Sequence, residues 1–246
     1  MSTKVLVIVP TYNESENIAS FLTSLDSARS KLSEKFTITI INIDDNSPDG
    51  TAKIARELKL QSFFQINKQR KSGLGPAYIS GFQWGLERDF DLFVEIDADG
   101  SHSPEQLSKL LESGLKHDLV IGTRWMSGGN IVNWPWYRRA ISKFGTFYAA
   151  KALKLKYRDL TSGYRVLNRK FLSSLNLANI SNKGYGFQIE IAFQAFVNGF
   201  SIDEVPITFV ERELGRSKMT LGIALEAFKF VSHLGFTLRL QGLLRR

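Results

Sequence analysis

Two aspartates separated by one residue, in the run DADGSH at 97–102, are the clearest candidates for chemistry in this sequence. At the end of a buried strand such a pair is costly unless a cation neutralises it. An extended Asp-x-Asp points both side chains the same way, and hard oxygen ligands suit Mg²⁺ or Mn²⁺ shared with substrate phosphates. Asp97 and Asp99 therefore either hold a divalent metal on a diphosphate or are two solvated loop carboxylates. A second cluster, DDNSPDG at 44–50, puts Asp44 and Asp45 where a carboxylate can accept hydrogen bonds from ribose hydroxyls or a base. Its Asn46, Ser47, Pro48 and Gly50 suit a turn and helix cap. A third polar run, PTYNE, occupies 10–14. No GxGxxG follows a strand and no GxxxxGK[ST] occurs, so dinucleotide and P-loop sites are excluded.

Each cluster follows a short apolar run, and these runs alternate with helix-period segments, the pattern of a parallel sheet covered by helices. Strands are expected at 4–9, 36–43, 62–66, 91–96 and 118–121, with helices near 15–30, 50–59, 75–88 and 104–116. Ser15, the pair Asp49 and Gly50, and Ser103 before Pro104 mark helix starts. The expectation is a doubly wound α/β unit, Rossmann-like, with a mostly parallel sheet and helices on both faces. Ligands of such sheets bind at the carboxyl ends of the strands, so the three clusters define one crevice. Further on, an aromatic, Gly-rich loop at 126–137 leads into a basic helical segment at 138–156. A strand at 164–167, a helix at 187–198, a strand at 202–210 and a polar loop at 211–218 follow. The end, 219–244, carries Glu226, Lys229, His233, Thr237 and Gln241 three or four apart, which lines them along one face of an amphipathic helix.

Composition narrows the class. The chain has 246 residues, 43% hydrophobic and 23% charged, with no Cys, which excludes disorder, collagen-like repeats, a disulfide scaffold and thiol or zinc-ribbon chemistry. The lack of Cys fits a reducing compartment, and no apolar run of about 18 residues suggests a spanning helix, so an intracellular protein is expected. Residues 1–119 carry 13 basic and 17 acidic side chains, whereas 120–246 carry 19 and 7. The basic half should face an anionic partner: nucleic acid, a phospholipid surface or a phosphorylated small molecule. No recognition-helix or RNP-type motif appears, which argues against nucleic acid.

PTYNE, DDNSPDG, DADGSHSPE and VIGTRW, in this order and spacing, resemble the family 2 nucleotide-sugar glycosyltransferases of GT-A fold. NWPWYRRAIS, DLTSGYRV, GYGFQIEI and EVPITFVERELGRSK resemble more narrowly the dolichol- or polyprenol-phosphate mannose synthases. The resemblance implies a metal-dependent, inverting transfer of mannose from GDP-mannose to a polyprenyl (dolichyl) monophosphate, with GDP released. Another nucleotide sugar such as UDP-glucose stays open within the family, and a nucleotidyltransferase outside it. The resemblance implies that Pro10, Tyr12 and Glu14 receive the guanine nucleotide, that Ile43 and Asp45 contact the nucleoside, and that Asp97, Ala98 and Asp99 hold metal and diphosphate. Ser101 stands where some relatives have Gln as a further metal ligand; it is shorter and poorer, so a water could complete the shell. Arg124 is implied at the phosphates of both substrates, and Arg138 with Ser142 at the lipid phosphate. Arg212 and Lys218 are implied to close over the diphosphate as catalytic cations beside Asp99.

The acceptor phosphate is already ionised and needs no general base, so His102 is read as a loop residue supporting the metal segment. Ser162-Gly163 suits a close backbone approach near the sugar, and Arg165 with Glu190 a structural ion pair. The organisation expected is a catalytic domain over 1–218 and a C-terminal helical extension over 219–246. That helix either packs on the protein's own core or, with Trp134, Trp136, Tyr137, Arg138, Arg139 and Lys143, meets a lipid headgroup region. Peripheral attachment to the cytoplasmic face of a membrane follows, with a separate small membrane-anchoring subunit as in some relatives.

Overall fold

In a computed structural model, which describes residues 2–180, 184–212 and 221–244, the crevice is built by strands that leave the sheet at one rim. The first half runs β1 (Thr3–Thr11), α1 (Ile18–Lys31), β2 (Phe36–Asp44), α2 (Thr51–Glu57), β3 (Phe63–Asn67), α3 (Leu74–Leu86), β4 (Leu92–Glu95), α4 (Leu107–Gly114) and β5 (Leu119–Thr123). The second half runs β6 (Asn130–Val132), α5 (Trp136–Leu153), β7 (Arg165–Asn168), α6 (Arg169–Ser174), α7 (Tyr185–Val197), β8 (Ile202–Pro206), β9 (Thr208–Val210) and α8 (Leu221–Leu244). Seven strands form one sheet in the order β3-β2-β1-β4-β7-β5-β8. All pairings are parallel except those of β7, which runs antiparallel to both β4 and β5.

Alternation along the strands divides the core between the two faces of the sheet. Leu6 and Ile8 of β1 pack with Phe82 of α3, Leu153 of α5, Phe171 of α6 and Phe187 of α7. Val5, Val7 and Val9 pack with Phe21 and Leu22 of α1, Ala55 of α2 and Leu110 of α4. Helix α3 lies so close to the sheet that a Cβ on Gly85 would stand 2.5 Å from both Leu6 and Phe93, which is why a glycine interrupts an otherwise apolar helix.

Two expectations change and one holds. The strand expected at 202–210 breaks at Ile207: Pro206 has no N–H with which to extend the ladder, and the chain crosses to pair β9 with β6 in a second, two-stranded sheet. Helix α1 begins after Asn17 rather than at Ser15, whose N–H is instead bound by Asp49 Oδ2 at 3.0 Å. Ser103 does cap the turn at Pro104–Gln106, accepting from the Glu105 N–H.

Helix α8 packs on α5 and α7. Val231 joins the core, Phe228 stacks on Tyr148 at 4.6 Å, and Tyr148 Oη meets Ser232 Oγ at 2.7 Å. Lys229 and His233 face solvent, as their spacing predicts, while Glu226, also exposed, borders the cavity at the rim of the sheet. Leu225, Phe228 and Phe236 nevertheless remain about half exposed or more, so the helix keeps apolar surface beyond what the core covers.

Candidate active site

Two adjoining cavities open at the rim where β1, β2, β4 and β5 end. The first, about 480 Å³, is lined by Pro10 in the last residues of β1, Tyr12 and Glu14 just beyond it, Asp45 after β2 and Asp97, Ala98 and Asp99 after β4. Thr161, Gly163, Gly184, Gln188 and Arg212 close its other side. The second, about 340 Å³, lies between α5 and α8 and is lined by Ser101, Arg124, Arg138, Ser142, Thr161 and Arg212 against Trp134, Ile141, Phe144, Tyr148, Phe209 and Phe228. Thr161 and Arg212 border both.

The Asp pair is electrostatically strained. Burial, followed by the charge of Asp99, pushes the Asp97 carboxyl up to about 7, while Tyr78 Oη donates to its Oδ1 at 3.2 Å. Burial acts on Asp99 too, but Arg212, whose Nη2 lies 2.6 Å from Oδ2, holds it below the ordinary carboxylate range. Ser101 donates its N–H and hydroxyl to Asp99 Oδ1 at 3.0 and 2.5 Å. Ser101 thus orients the carboxylate and faces the second cavity, which departs from its expected place as a metal ligand. Among the described residues no third His, Asp or Glu joins the pair. Two carboxylates alone fit Mg²⁺ or Mn²⁺ that keeps waters and takes its remaining oxygens from a substrate diphosphate.

Asp44 and Asp45 divide the work at the end of β2. Asp44 is spent on the turn, accepting from the Ser47 N–H and hydroxyl at 2.8 and 2.6 Å. Asp45 reaches across and accepts from Ser72 N–H and Gly73 N–H at 2.8 and 2.7 Å, fixing the start of α3 at the cavity wall. Ile43, expected to contact the nucleoside, is fully buried in the core and does not line the cavity: its side chain alternates away from the crevice. Sequence reasoning passed over the loop after β3, although the same strand-end rule points to it. Lys71, Ser72 and Gly73 line the cavity, and Lys71 Nζ sits 3.8 Å from the centroid of the Tyr12 ring.

Arg124 is not at the first cavity, contrary to its expected donor contact. Its Nε and Nη2 each meet the fully buried Asp159 at 2.7 Å, Asp159 also accepts the Arg124 N–H at 3.0 Å, and Nη2 meets Thr161 Oγ1 at 3.1 Å. Arg138 and Ser142, one helical turn apart on α5, join it in the second cavity, with Arg138 paired to Glu211. Lys218 lies outside the described residues. Gly163 lets the backbone pass close to the Asp pair: a Cβ there would stand 3.1 Å from Asp97 Oδ2. Arg165 donates to the carbonyls of Leu160, Ser162 and Gln188 at 2.7–2.8 Å, and the carboxylate acting most strongly on it is Glu95 rather than Glu190.

His102 is buried between Tyr164 and Phe209, and neither ring nitrogen has a hydrogen-bond partner. Burial pushes its pKa from 6.5 down to about 4, so the ring is neutral and the 3.7 Å approach of Nδ1 to Asp97 is not an ion pair. A His whose pKa falls on folding contributes stability in full above the unfolded value and loses it as pH drops to the folded one. Between pH 6.5 and about 4 the protein should therefore lose about 3 kcal/mol that His102→Leu does not lose. Urea melts of both proteins across that range measure it, and a constant difference between them would refute it.

Residues 6–175 match the model of glycosyl transferase family 2. The chain is 46% identical over 245 residues to an undecaprenyl-phosphate mannosyltransferase of Micrococcus luteus, covering 99% of this chain and 98% of that one. It is 43% identical over 241 residues to a polyprenol monophosphomannose synthase of Mycolicibacterium smegmatis, covering 96% and 89%. A dolichol-phosphate mannosyltransferase of Pyrococcus furiosus is 36% identical over 222 residues, covering 88% of this chain and 59% of that longer one. Among solved structures, glucosyl-3-phosphoglycerate synthase from Mycobacterium tuberculosis, in complex with Mn²⁺, UDP-glucose and phosphoglyceric acid, superposes with a TM-score of 0.70 at 17% identity, covering 95% of this chain and 80% of that one. It shares the α/β fold of the GT-A glycosyltransferases. With the family model spanning most of the sheet and two relatives matching nearly end to end, the chain belongs to glycosyl transferase family 2.

Proposed function

We infer that the protein transfers mannose from GDP-mannose to a polyprenyl monophosphate, giving polyprenyl β-mannosyl phosphate and GDP. The observation that carries this is the meeting of two unlike cavities at Thr161 and Arg212: a polar one around paired carboxylates, and an apolar one whose cations sit at the shared wall. The names of the relatives support the acceptor and the sugar. In the first cavity Tyr12 offers a ring face and Glu14 a carboxylate that accepts from ring N–H groups, which favours guanine. Asp97 and Asp99 would hold Mg²⁺ or Mn²⁺, which neutralises the diphosphate as it leaves.

Arg124, Arg138 and Ser142 would take the lipid phosphate, whose chain lies along Ile141, Phe144 and Phe228. Its oxygen attacks the anomeric carbon opposite the departing diphosphate, so configuration inverts. Arg212 stands at the junction to balance negative charge on both sides, with Lys218 as its expected companion. No base is required of the protein, and the enclosed, unpartnered nitrogens of His102 would not serve as one.

No described helix is long and apolar enough to cross a membrane. Helix α5 instead exposes Trp136, Ile141, Phe144 and Phe147, next to Arg139, Lys143 and Lys151, and α8 adds Phe228 and Phe236. This apolar-basic face suits an anionic lipid surface on the cytoplasmic side, with or without a small anchoring subunit. Phe144→Ser with Phe147→Ser should lower partitioning onto anionic liposomes by about tenfold or more, since each ring carries roughly 2 kcal/mol of transferable apolar surface. Flotation measures this, and unchanged binding would remove the surface from the proposal. Point substitutions are preferable to deleting α8, because Val231 belongs to the core.

The transfer itself is tested by incubating the protein with a panel of labelled nucleotide sugars and a short polyprenyl phosphate. GDP-mannose is expected to be consumed with release of GDP. Preference for UDP-glucose would overturn the donor, and pyrophosphate release from a nucleoside triphosphate would point to nucleotidyl transfer.

A further inference from the structure

One corner of the first cavity contains polar atoms that the protein leaves unsatisfied. Gln188, on the first turns of α7, is 1% exposed, lines the cavity, and makes no well-formed hydrogen bond at either Oε1 or Nε2, its amide approaching only Glu95. Beneath it Glu95, at the end of β4, is fully buried; neither carboxylate oxygen makes a well-formed hydrogen bond, and only the charge of Arg165 and a weak approach of the Gln188 amide act on it. Buried amides and carboxylates are nearly always hydrogen-bonded, and each one left open costs about 1–3 kcal/mol. The backbone here is nonetheless fixed: Arg165 Nη1 donates to the Gln188 carbonyl at 2.7 Å, tying α7 to β7.

The order of strands says what this corner receives. Across the sheet run β2, β1, β4 and β7, so the cavity is walled in turn by Asp45, Glu14, the Asp pair and the loop leading into β7. A nucleoside diphosphate sugar laid across it with its diphosphate at Asp97 and Asp99 and its base at Tyr12 extends its sugar toward Thr161, Gly163 and Gln188. Thr161 also borders the second cavity, from which the acceptor must reach the anomeric carbon. A hexose hydroxyl both donates and accepts, and so does a carboxamide.

We propose that Gln188 reads a hydroxyl of the transferred hexose, and that Glu95 is the positioning residue that holds the Gln188 carboxamide toward it. The carboxamide turns its NH₂ to Glu95 and its oxygen to the sugar O–H, so that the amide oxygen is satisfied only when the sugar is present. The corner thereby selects for a sugar carrying that hydroxyl, because a donor without it leaves the amide buried and open. This rests on the reading of the first cavity as a GDP-sugar site.

The test separates the two. Calorimetric titration of wild type and Gln188→Leu with GDP and with GDP-mannose, in Mg²⁺ or Mn²⁺, should show GDP binding unchanged and the extra affinity for the sugar conjugate lost. In turnover, kcat/KM for GDP-mannose should fall roughly 10–100-fold. A set of monodeoxy-mannose donors should contain one member that wild type already penalises by that factor and that Gln188→Leu penalises no further. Glu95→Leu should reproduce the loss, and Glu95→Gln, which can still accept, should recover part of it. Equal losses on every deoxy donor, or an unchanged gap between GDP and GDP-mannose affinity in a folded Gln188→Leu, would overturn the proposal. If wild type fails to bind GDP-mannose above other nucleotide sugars, the donor reading fails instead, and the same cycle with the sugar it does use still decides the role of Gln188.

Discussion

Asp99→Ala is expected to lower turnover about 10²–10³-fold, or 2.7–4 kcal/mol of barrier, the scale seen when one preorganised electrostatic stabiliser is removed. Asp99 carries two duties at once: it would share the metal with Asp97, and its Oδ2 holds Arg212 at 2.6 Å at the wall between the cavities. Losing it releases both charges from the place where negative charge builds. Folding should survive, because the side chain lies at the cavity edge and relieving it ends the repulsion that raises Asp97. Near-normal activity of Asp99→Ala in saturating Mg²⁺ or Mn²⁺ would remove the pair from the mechanism. Thermal melts of the same sample separate that outcome from unfolding.

Asp159→Ala acts on stability first. It strips the fully buried partner from Arg124, which is itself 7% exposed, and leaves a guanidinium enclosed without its carboxylate. Breaking a buried pair in this way costs about 3–5 kcal/mol, a large part of the 5–15 kcal/mol that holds a typical domain together. Urea unfolding measures the loss. The double variant Arg124→Met with Asp159→Leu should regain part of that stability, since two apolar side chains replace an ion pair at little cost. It should regain no transfer activity, because the acceptor phosphate has lost its cation. A cost below 1 kcal/mol for Asp159→Ala would mean that solvent or other acceptors compensate Arg124.

What the sequence made legible follows from local pattern. Pro10, Tyr12, Glu14, Asp45, Asp97 and Asp99 stood out because polar residues after apolar runs mark the ligand rim of a parallel sheet. All of them line the first cavity. Helical spacing puts Arg138 and Ser142 on one face of α5, and both line the second cavity. The partner of Arg124 was not legible, because Asp159 is 35 residues away and only the tertiary fold joins them. Gln188 was hidden in the segment GFQIEI, where it and Glu190 are the polar residues of a mostly apolar helix and nothing in the local pattern marks one of them as facing a cavity. The direction of β7 was equally hidden, since alternation of side chains is the same whichever way a strand runs.

That reversed strand has a consequence for traffic through the enzyme. Because β7 points against its neighbours, the segment leading into it, 159–164, arrives at the ligand rim where its neighbours depart. Asp159 anchors one end of this segment through Arg124 and Arg165 anchors the other through three carbonyls, so it stands as a fixed partition. On the proposed function, a water-soluble donor and an oily acceptor approach this wall from opposite sides and touch only at its edge. GDP can then return to the aqueous phase while the mannosylated lipid slips back into its own. Neither product has to cross the other's doorway.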